Sequence, residues 1–213
     1  MAASPLVPSE RLMLAATDLA CSRGERRLFE GVGFELQGGE WLHVKGVNGS
    51  GKTTLLRTLV GLSPADSGRV TWQGTDIHDA PEDYRRAAVY LGHPPAMKDD
   101  LTAAENLRVS LAVDGIEADP EALAGALERV RLDEQHDLRA RHLSAGQRRR
   151  LLLARLLLRP ATLWVLDEPF APLDAAGVEV LGELLQVHLD RGGLGVVTSH
   201  QAVPLAPCRE LEL

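Results

Sequence analysis

Asp167 and Glu168 stand side by side at the end of a run of strand-forming apolar residues, Leu163, Trp164, Val165 and Leu166. Such a run reads as a strand buried on both faces. Two adjacent carboxylates at its end are costly unless a cation or a transferable proton faces them. A second constellation supplies what they would face. Residues 46–53, GVNGSGKT, fit the phosphate-loop spacing G-x-x-x-x-G-K-[ST], with a strand-like segment before and an apolar helical segment after. In such a loop the backbone N–H groups of Gly46, Val47, Asn48, Gly49, Ser50 and Gly51 turn toward phosphate oxygens. Lys52 reaches the outer phosphates, the Thr53 hydroxyl binds Mg²⁺, and Thr54 follows at the positive end of the helix dipole. Asp167, ending a strand downstream, is placed to help hold that metal. Glu168 is placed to hydrogen-bond a water attacking the terminal phosphate, as base or as orienter. The alternative for the pair is an exposed Asp-Glu-Pro turn.

The elements that must position these residues are legible as alternating patterns. RLMLAATDLA and GVGFEL flank the polar CSRGERR, which predicts antiparallel strands joined by a turn. EWLHVK reads as the strand before the phosphate loop, and GRVTWQGTDI as a further hairpin. AAVYLGH is a strand stopped by Pro94 and Pro95. From 101 to 141 the chain reads as helices, with TAAENLRVSLAV and PEALAGALERVRL at helical spacing. Strands resume in ATLWVLD and GLGVVTSH around the helical AAGVEVLGELLQVHL, and RELEL adds a last strand. Strand–helix alternation predicts an α/β fold with a parallel sheet covered by helices.

Composition sets the outer limits. A chain of 213 residues buries one core, or one core with a small satellite. A formal net charge of −7 lacks the basic footprint of a nucleic-acid binder, so no nucleic-acid partner is expected. Cys21 and Cys208 have neither metal-ligand spacing nor a disulfide framework and read as reduced thiols. No run approaches the ~18 apolar residues of a membrane span. The longest, LLLARLLL, is broken by Arg155. LMLAATDLAC is too short for an export signal and is interrupted by Asp18, so the chain is expected in the cytosol.

A third motif, HLSAGQRRR, has two compatible readings. Ser144 and Gln147 have capping-box spacing at the start of a helix. A Ser hydroxyl, small residues and free N–H groups at a helix start also make a phosphate site. The run Arg148, Arg149 and Arg150 reads as a solvated helix face in preference to a nucleic-acid or lipid-headgroup site.

LSAGQ resembles the LSGGQ signature of ATP-binding cassette (ABC) ATPases, with Ala145 replacing one Gly. PLD, ending at Asp174, resembles the family's D-loop, and TSHQ, with His200, its switch histidine. The resemblance covers nearly the whole chain. It implies one ABC ATPase domain over 1–213, with a P-loop core, an N-terminal antiparallel β subdomain and a helical subdomain at about 95–143. It implies ATP and Mg²⁺ as ligands and Glu168 and His200 as catalytic residues. It also implies a head-to-tail pair of domains, most simply a homodimer, in which Ser144, Ala145, Gly146 and Gln147 of one face the phosphate loop of the other. Family domains of this size drive integral membrane subunits, which would place this chain peripherally on the cytoplasmic face of the bacterial inner membrane.

Within that family the combination CSRGERRLFEGVGFEL, YLGHPPAMKDDLTAAENL, LSAGQRRR and LWVLDEPFAPLD is most similar to the ATP-binding subunits of the cytochrome c maturation system, which act in haem export or delivery. The alternatives are an ABC subunit for another cargo and a soluble, non-transport ABC ATPase. Direct haem binding is not expected, since there is no C-x-x-C-H and the seven histidines form no evident ligand set. Two positions depart from the family pattern. Arg23 aligns with the aromatic residue that stacks on adenine, and an Arg plane also stacks on a base. Pro94 stands where a Gln would help complete the Mg²⁺ shell, a ligand that Pro cannot supply.

Overall fold

The structure is a computed structural model that describes residues 13–92, 97–200, 203, 205 and 209–213. The chain opens with a hairpin, β1 (Met13–Arg23) and β2 (Arg26–Gln37), followed by β3 (Trp41–Lys45), α1 (Lys52–Leu59), β4 (Ser67–Trp72) and the two-residue β5 (Thr75–Asp76). Next come α2 (Pro81–Ala87), β6 (Ala88–Leu91), α3 (Ala103–Val113), α4 (Pro120–Arg129) and α5 (Ala145–Leu158). The chain closes with β7 (Leu163–Leu166), α6 (Ala175–Asp190), β8 (Leu194–Thr198) and β9 (Arg209–Glu212).

Two sheets result, an antiparallel one in the order β2-β1-β4-β5 and a parallel one in the order β6-β7-β8-β3-β9. Period-two side-chain alternation explains how the parallel sheet sits between two apolar layers. On β7, Leu163 and Val165 join the cluster formed with α1 and the antiparallel sheet. Trp164 and Leu166 point the other way, into the cluster that holds Leu107, Leu127, Leu151 and Leu185 from α3, α4, α5 and α6. Val89 and Leu91 on β6 and Val197 on β8 share that second layer. Full burial of each such side chain contributes roughly 1.5–3 kcal/mol.

The expected strands and helices are present, with two differences. Most of the polar CSRGERR is strand, because Ser22 pairs with Arg27 and Arg23 with Arg26, which leaves only Gly24 and Glu25 as the turn. The helix α2 was not among the expected elements. Pro81 opens it, Glu82 and Asp83 fill its first turn and Arg85 and Arg86 its last, so its ends complement the dipole. It buries only Tyr84, and so shows no apolar stripe. Residues Pro94 and His93 lie outside the described residues, as does Cys208. Cys21 is a buried free thiol. Among the described residues, no helix is long and apolar enough to cross a membrane.

The helical stretch is pinned at its ends. Thr102 and Glu105 form a reciprocal capping box at α3, and Asp119 accepts from the Ala122 N–H at α4. On α6, His188 stacks on Trp164 with ring centroids 4.0 Å apart, and its Nε2 lies 3.0 Å from the Leu194 carbonyl oxygen. Burial is the main cause that lowers its pKa from the ordinary 6.5. The unfolded chain therefore binds more protons at this position as pH falls through 6.5, and stability is lost on that side. His188→Gln is expected to give a shallower fall in Tm between pH 7.5 and 5.5 than the wild type, measured by calorimetry. Equal slopes would remove His188 from the acid response.

Candidate active site

The phosphate loop links β3 to α1. Gly46 and Gly51 have φ of 143° and 107°, which side chains rarely adopt. A Cβ on Gly46 would meet Ser50 Oγ at 2.7 Å, and one on Gly51 would meet Leu28 Cβ at 3.0 Å. Gly51 is also the N-cap of α1, and no side chain caps this end, so the first N–H groups of the helix face the cleft. Lys52 is buried and donates to the carbonyl oxygens of Gly46 at 2.7 Å and Val47 at 3.2 Å, which arches its ammonium over the loop.

Asp167 is 3% exposed and is held by hydroxyls. Thr53 Oγ1 donates to its Oδ2 at 2.8 Å and Thr198 Oγ1 to its Oδ1 at 2.9 Å. Tyr90, on β6, lies beside the same carboxylate, and burial followed by the Asp167 charge pushes its phenol up to about 12. Glu168 has a φ of 45°, left-handed for a non-Gly residue, a conformation that costs on the order of 1–3 kcal/mol. Its N–H donates to Thr198 Oγ1 at 2.8 Å. Its Oε2 accepts from the His200 N–H at 3.3 Å, and its Oε1 lies 3.4 Å from His200 Nε2 without a hydrogen bond.

One cleft of about 250 Å³ brings most of the expected residues together: Arg23, Asn48, Gly49, Gly51, Lys52, Thr53, Thr54, Asp167, Glu168 and His200 line it, with Leu28. Gly46, Val47 and Ser50 complete the loop, and Ser50 Oγ is buried without a partner among the described residues. Ser144, Ala145, Gly146, Gln147 and Asp174 do not line the cleft. Ser144 and Gln147 form a reciprocal capping box at the start of α5, with bonds of 3.1 and 2.9 Å. Ser144 and Ala145 are exposed. Asp174 accepts from the Gly177 N–H at 2.8 Å and caps α6.

The arginine run departs from its expected solvated face. Arg148 pairs with Asp99 at 2.7 Å, and Arg150 donates to the Arg131 carbonyl oxygen at 3.2 Å. Arg149 is 2% exposed. Consecutive helix residues are turned about 100° apart, so three in a row cannot share one face, and the middle one enters the core. Its Nη2 donates to the Asp167 carbonyl oxygen at 2.7 Å and its Nε to that of Pro169 at 3.1 Å.

The donor set fits Mg²⁺ in one particular way. Among the described residues, no group of three or more His, Cys, Asp or Glu could hold a metal alone. Thr53 and Asp167 offer hard oxygens within one hydrogen bond of each other, and Mg²⁺ is commonly held by one or two such groups plus substrate phosphates. A phosphate cradle beside a hydroxyl–carboxylate pair and an unbonded carboxylate oxygen can bind a nucleoside triphosphate and direct water at its terminal phosphorus.

Comparison with known proteins agrees with this geometry. The ABC transporter family pattern matches residues 29–171. The chain is 49% identical over 199 residues to the cytochrome c biogenesis ATP-binding export protein CcmA of Nitrosomonas europaea, covering 93% of each. It is 46% identical over 203 residues to the protein of the same name from Dechloromonas aromatica, covering 94% of this chain and all of the relative. A putative ABC transporter ATP-binding protein from Pyrococcus furiosus shares the fold, with a TM-score of 0.81 at 23% identity, over 94% of this chain and 97% of that one. A nucleotide-free ATP-binding cassette from an ABC transporter superposes with a TM-score of 0.74 at 25% identity, over 89% and 82%. The chain therefore belongs to the ABC transporter ATP-binding family and, within it, to the cytochrome c biogenesis ATP-binding export proteins.

Proposed function

We propose that this chain hydrolyses ATP as the motor subunit of a cytochrome c biogenesis export complex, paired with a second copy and seated on integral membrane subunits at the cytoplasmic face of the bacterial inner membrane. The observation that carries the ATPase reading is the single cleft in which the phosphate loop, Asp167, Glu168 and His200 converge. The names of the relatives carry the cytochrome c assignment and, with it, a role in haem export or delivery.

In this reading Lys52 and the loop N–H groups bind the ATP phosphates, and Arg23 and Leu28, which line the same cleft, contact the base. Thr53 and Asp167 hold Mg²⁺, which when bound neutralises charge on the phosphate oxygens. Glu168 orients the attacking water and accepts its proton, while the bond from the terminal phosphorus to the bridging oxygen breaks and ADP leaves. His200, beside Glu168, contacts the terminal phosphate and senses its loss. Ser144, Ala145, Gly146 and Gln147 lie outside this cleft but expose a helix start suited to phosphate, which supports their use on the ATP of a second copy. We assign Asp174, the cap of α6, as the D-loop residue. We read 1–213 as one ATPase domain, which the apolar layer shared by α3, α4, α5 and the parallel sheet supports, and assign contact with the membrane subunits to its helical subdomain, at about 95–143.

A deletion strain tests the proposal. Loss of this chain is expected to abolish haem-stained c-type cytochromes, with rescue by the wild type and none by Glu168→Gln. The chain is expected in the membrane fraction only when its integral membrane partners are present. Normal c-type cytochromes in the deletion, or retention without those partners, would overturn the assignment.

A further inference from the structure

We propose that Arg149 is a positioning residue that holds the backbone around Glu168 for hydrolysis and ties it to the signature end of α5, so that ATP bound at one site of the pair sets the carboxylate of the other. This rests on the paired-ATPase reading above. The contacts are specific. The Arg149 guanidinium bonds the carbonyl oxygens on either side of Glu168, those of Asp167 at 2.7 Å and Pro169 at 3.1 Å. A longer contact of 3.5 Å reaches the Gly92 carbonyl oxygen, where the chain leaves β6. Glu168 itself is the residue in the left-handed region. With Thr198 Oγ1 taking its N–H, the peptide unit before Glu168 is held at both its C=O and its N–H, and the unit after Pro169 is held at its C=O. A backbone in a sparsely populated conformation persists only where its surroundings over-determine it.

The other end of the connection is the helix itself. Ala145 and Arg149 are four residues apart on α5 and share a face. The intervening turn is capped by Ser144 and Gln147 in both directions. A ligand that draws on the Ser144 end therefore pulls on a helix whose next turn grips the Glu168 backbone. The signature serves the partner's ATP, whereas Glu168 serves its own, so α5 links the two sites within one chain.

A purely structural role makes a different prediction. Replacing a buried charge with a well-packed apolar residue of similar volume is often neutral or stabilising. If Arg149 only fills the core, Arg149→Met should hydrolyse ATP in proportion to its folded fraction. If it positions Glu168, Arg149→Met should bind a fluorescent ATP analogue within about threefold of wild type and yet lose turnover on the order of 10- to 100-fold at unchanged KM, since small misplacements cost this much. Any Hill coefficient above one in the wild type should fall to one.

The experiment is steady-state hydrolysis by the full chain with Mg²⁺, with hydrogen exchange of a peptide spanning 164–172 measured with and without the ATP analogue. In the wild type the nucleotide slows that exchange; in Arg149→Met the peptide exchanges fast in both states. Arg149→Lys, which can reach one carbonyl, should give intermediate turnover, and it decides the matter if the Met variant does not fold. Wild-type turnover per folded molecule in both variants, or unchanged protection of 164–172, would overturn the inference alone. A wild-type chain that binds no ATP would overturn the proposed function and this inference with it.

Discussion

Glu168→Gln is expected to bind ATP as tightly as the wild type, lose about 10²–10⁴ in turnover, the range for a positioned acid–base group, and accumulate as an ATP-bound dimer. The change is nearly isosteric. The Glu168 N–H bond to Thr198 Oγ1 and the Arg149 bonds to the flanking carbonyls are all backbone contacts and survive it. Asp167, Thr53 and Lys52 keep their partners, so the phosphate site is unaltered. What disappears is the base at Oε1, the oxygen that lies 3.4 Å from His200 Nε2 and has no hydrogen-bond donor of its own. The negative charge facing the terminal phosphate disappears too, which favours the closed pair. Sedimentation velocity with ATP and Mg²⁺ reads the second effect and phosphate release the first. Monomer alone under those conditions would count against the head-to-tail pair. Near-normal hydrolysis would remove Glu168 from the reaction.

The parts of this molecule that were legible in the sequence are those written in local spacing. LWVL alternates its side chains between two apolar layers, so the run could be read as a strand buried on both faces before any neighbour was known. The eight residues of the phosphate loop and the Ser144–Gln147 capping box are likewise local geometry. Arg149 was not legible. A charge run defaults to solvent, and only the packing of α5 against the loop after β7 shows that the middle arginine finds three carbonyl oxygens in the core. Thr198 was hidden for a similar reason. It stands in the TSHQ segment, where only His200 was given a role, yet its hydroxyl donates to Asp167 and accepts from Glu168, joining the two carboxylate residues through β8. Leu28 reaches the cleft because β2 packs at the start of α1, where a Cβ on Gly51 would meet Leu28 Cβ at 3.0 Å. Helix α2 carries good end signals but too little buried surface to announce itself by period.

Lys52→Ala, unlike Glu168→Gln, should lose ATP affinity as well as turnover. The Lys52 ammonium is buried and bonded to the carbonyl oxygens of Gly46 and Val47, so it is both the cation of the phosphate site and the strut across its loop. A hydrogen bond to a charged group is worth about 1.5–3 kcal/mol, and removal of the charge should therefore weaken ATP about 10- to 100-fold. Turnover at saturating ATP should fall further, because the lost charge also faced the phosphate on which charge builds up. The second role sets the control. Alanine takes a donor from two loop carbonyls, of which that of Val47 keeps the Ser50 N–H, and it also removes the buried stem, so part of any loss would come from a loosened loop. Lys52→Met keeps the aliphatic stem in its buried slot and removes the ammonium, with its charge and its donors. If charge dominates, the two variants lose the same affinity in a calorimetric titration with Mg²⁺, and both lose the ATP-dependent rise in Tm that a ligand of the folded state produces. If the packed stem also shapes the loop, the Met variant binds markedly better than the Ala variant. Unchanged affinity in both would mean that ATP does not enter between Lys52 and Asp167, and the assignment of this cleft would fall.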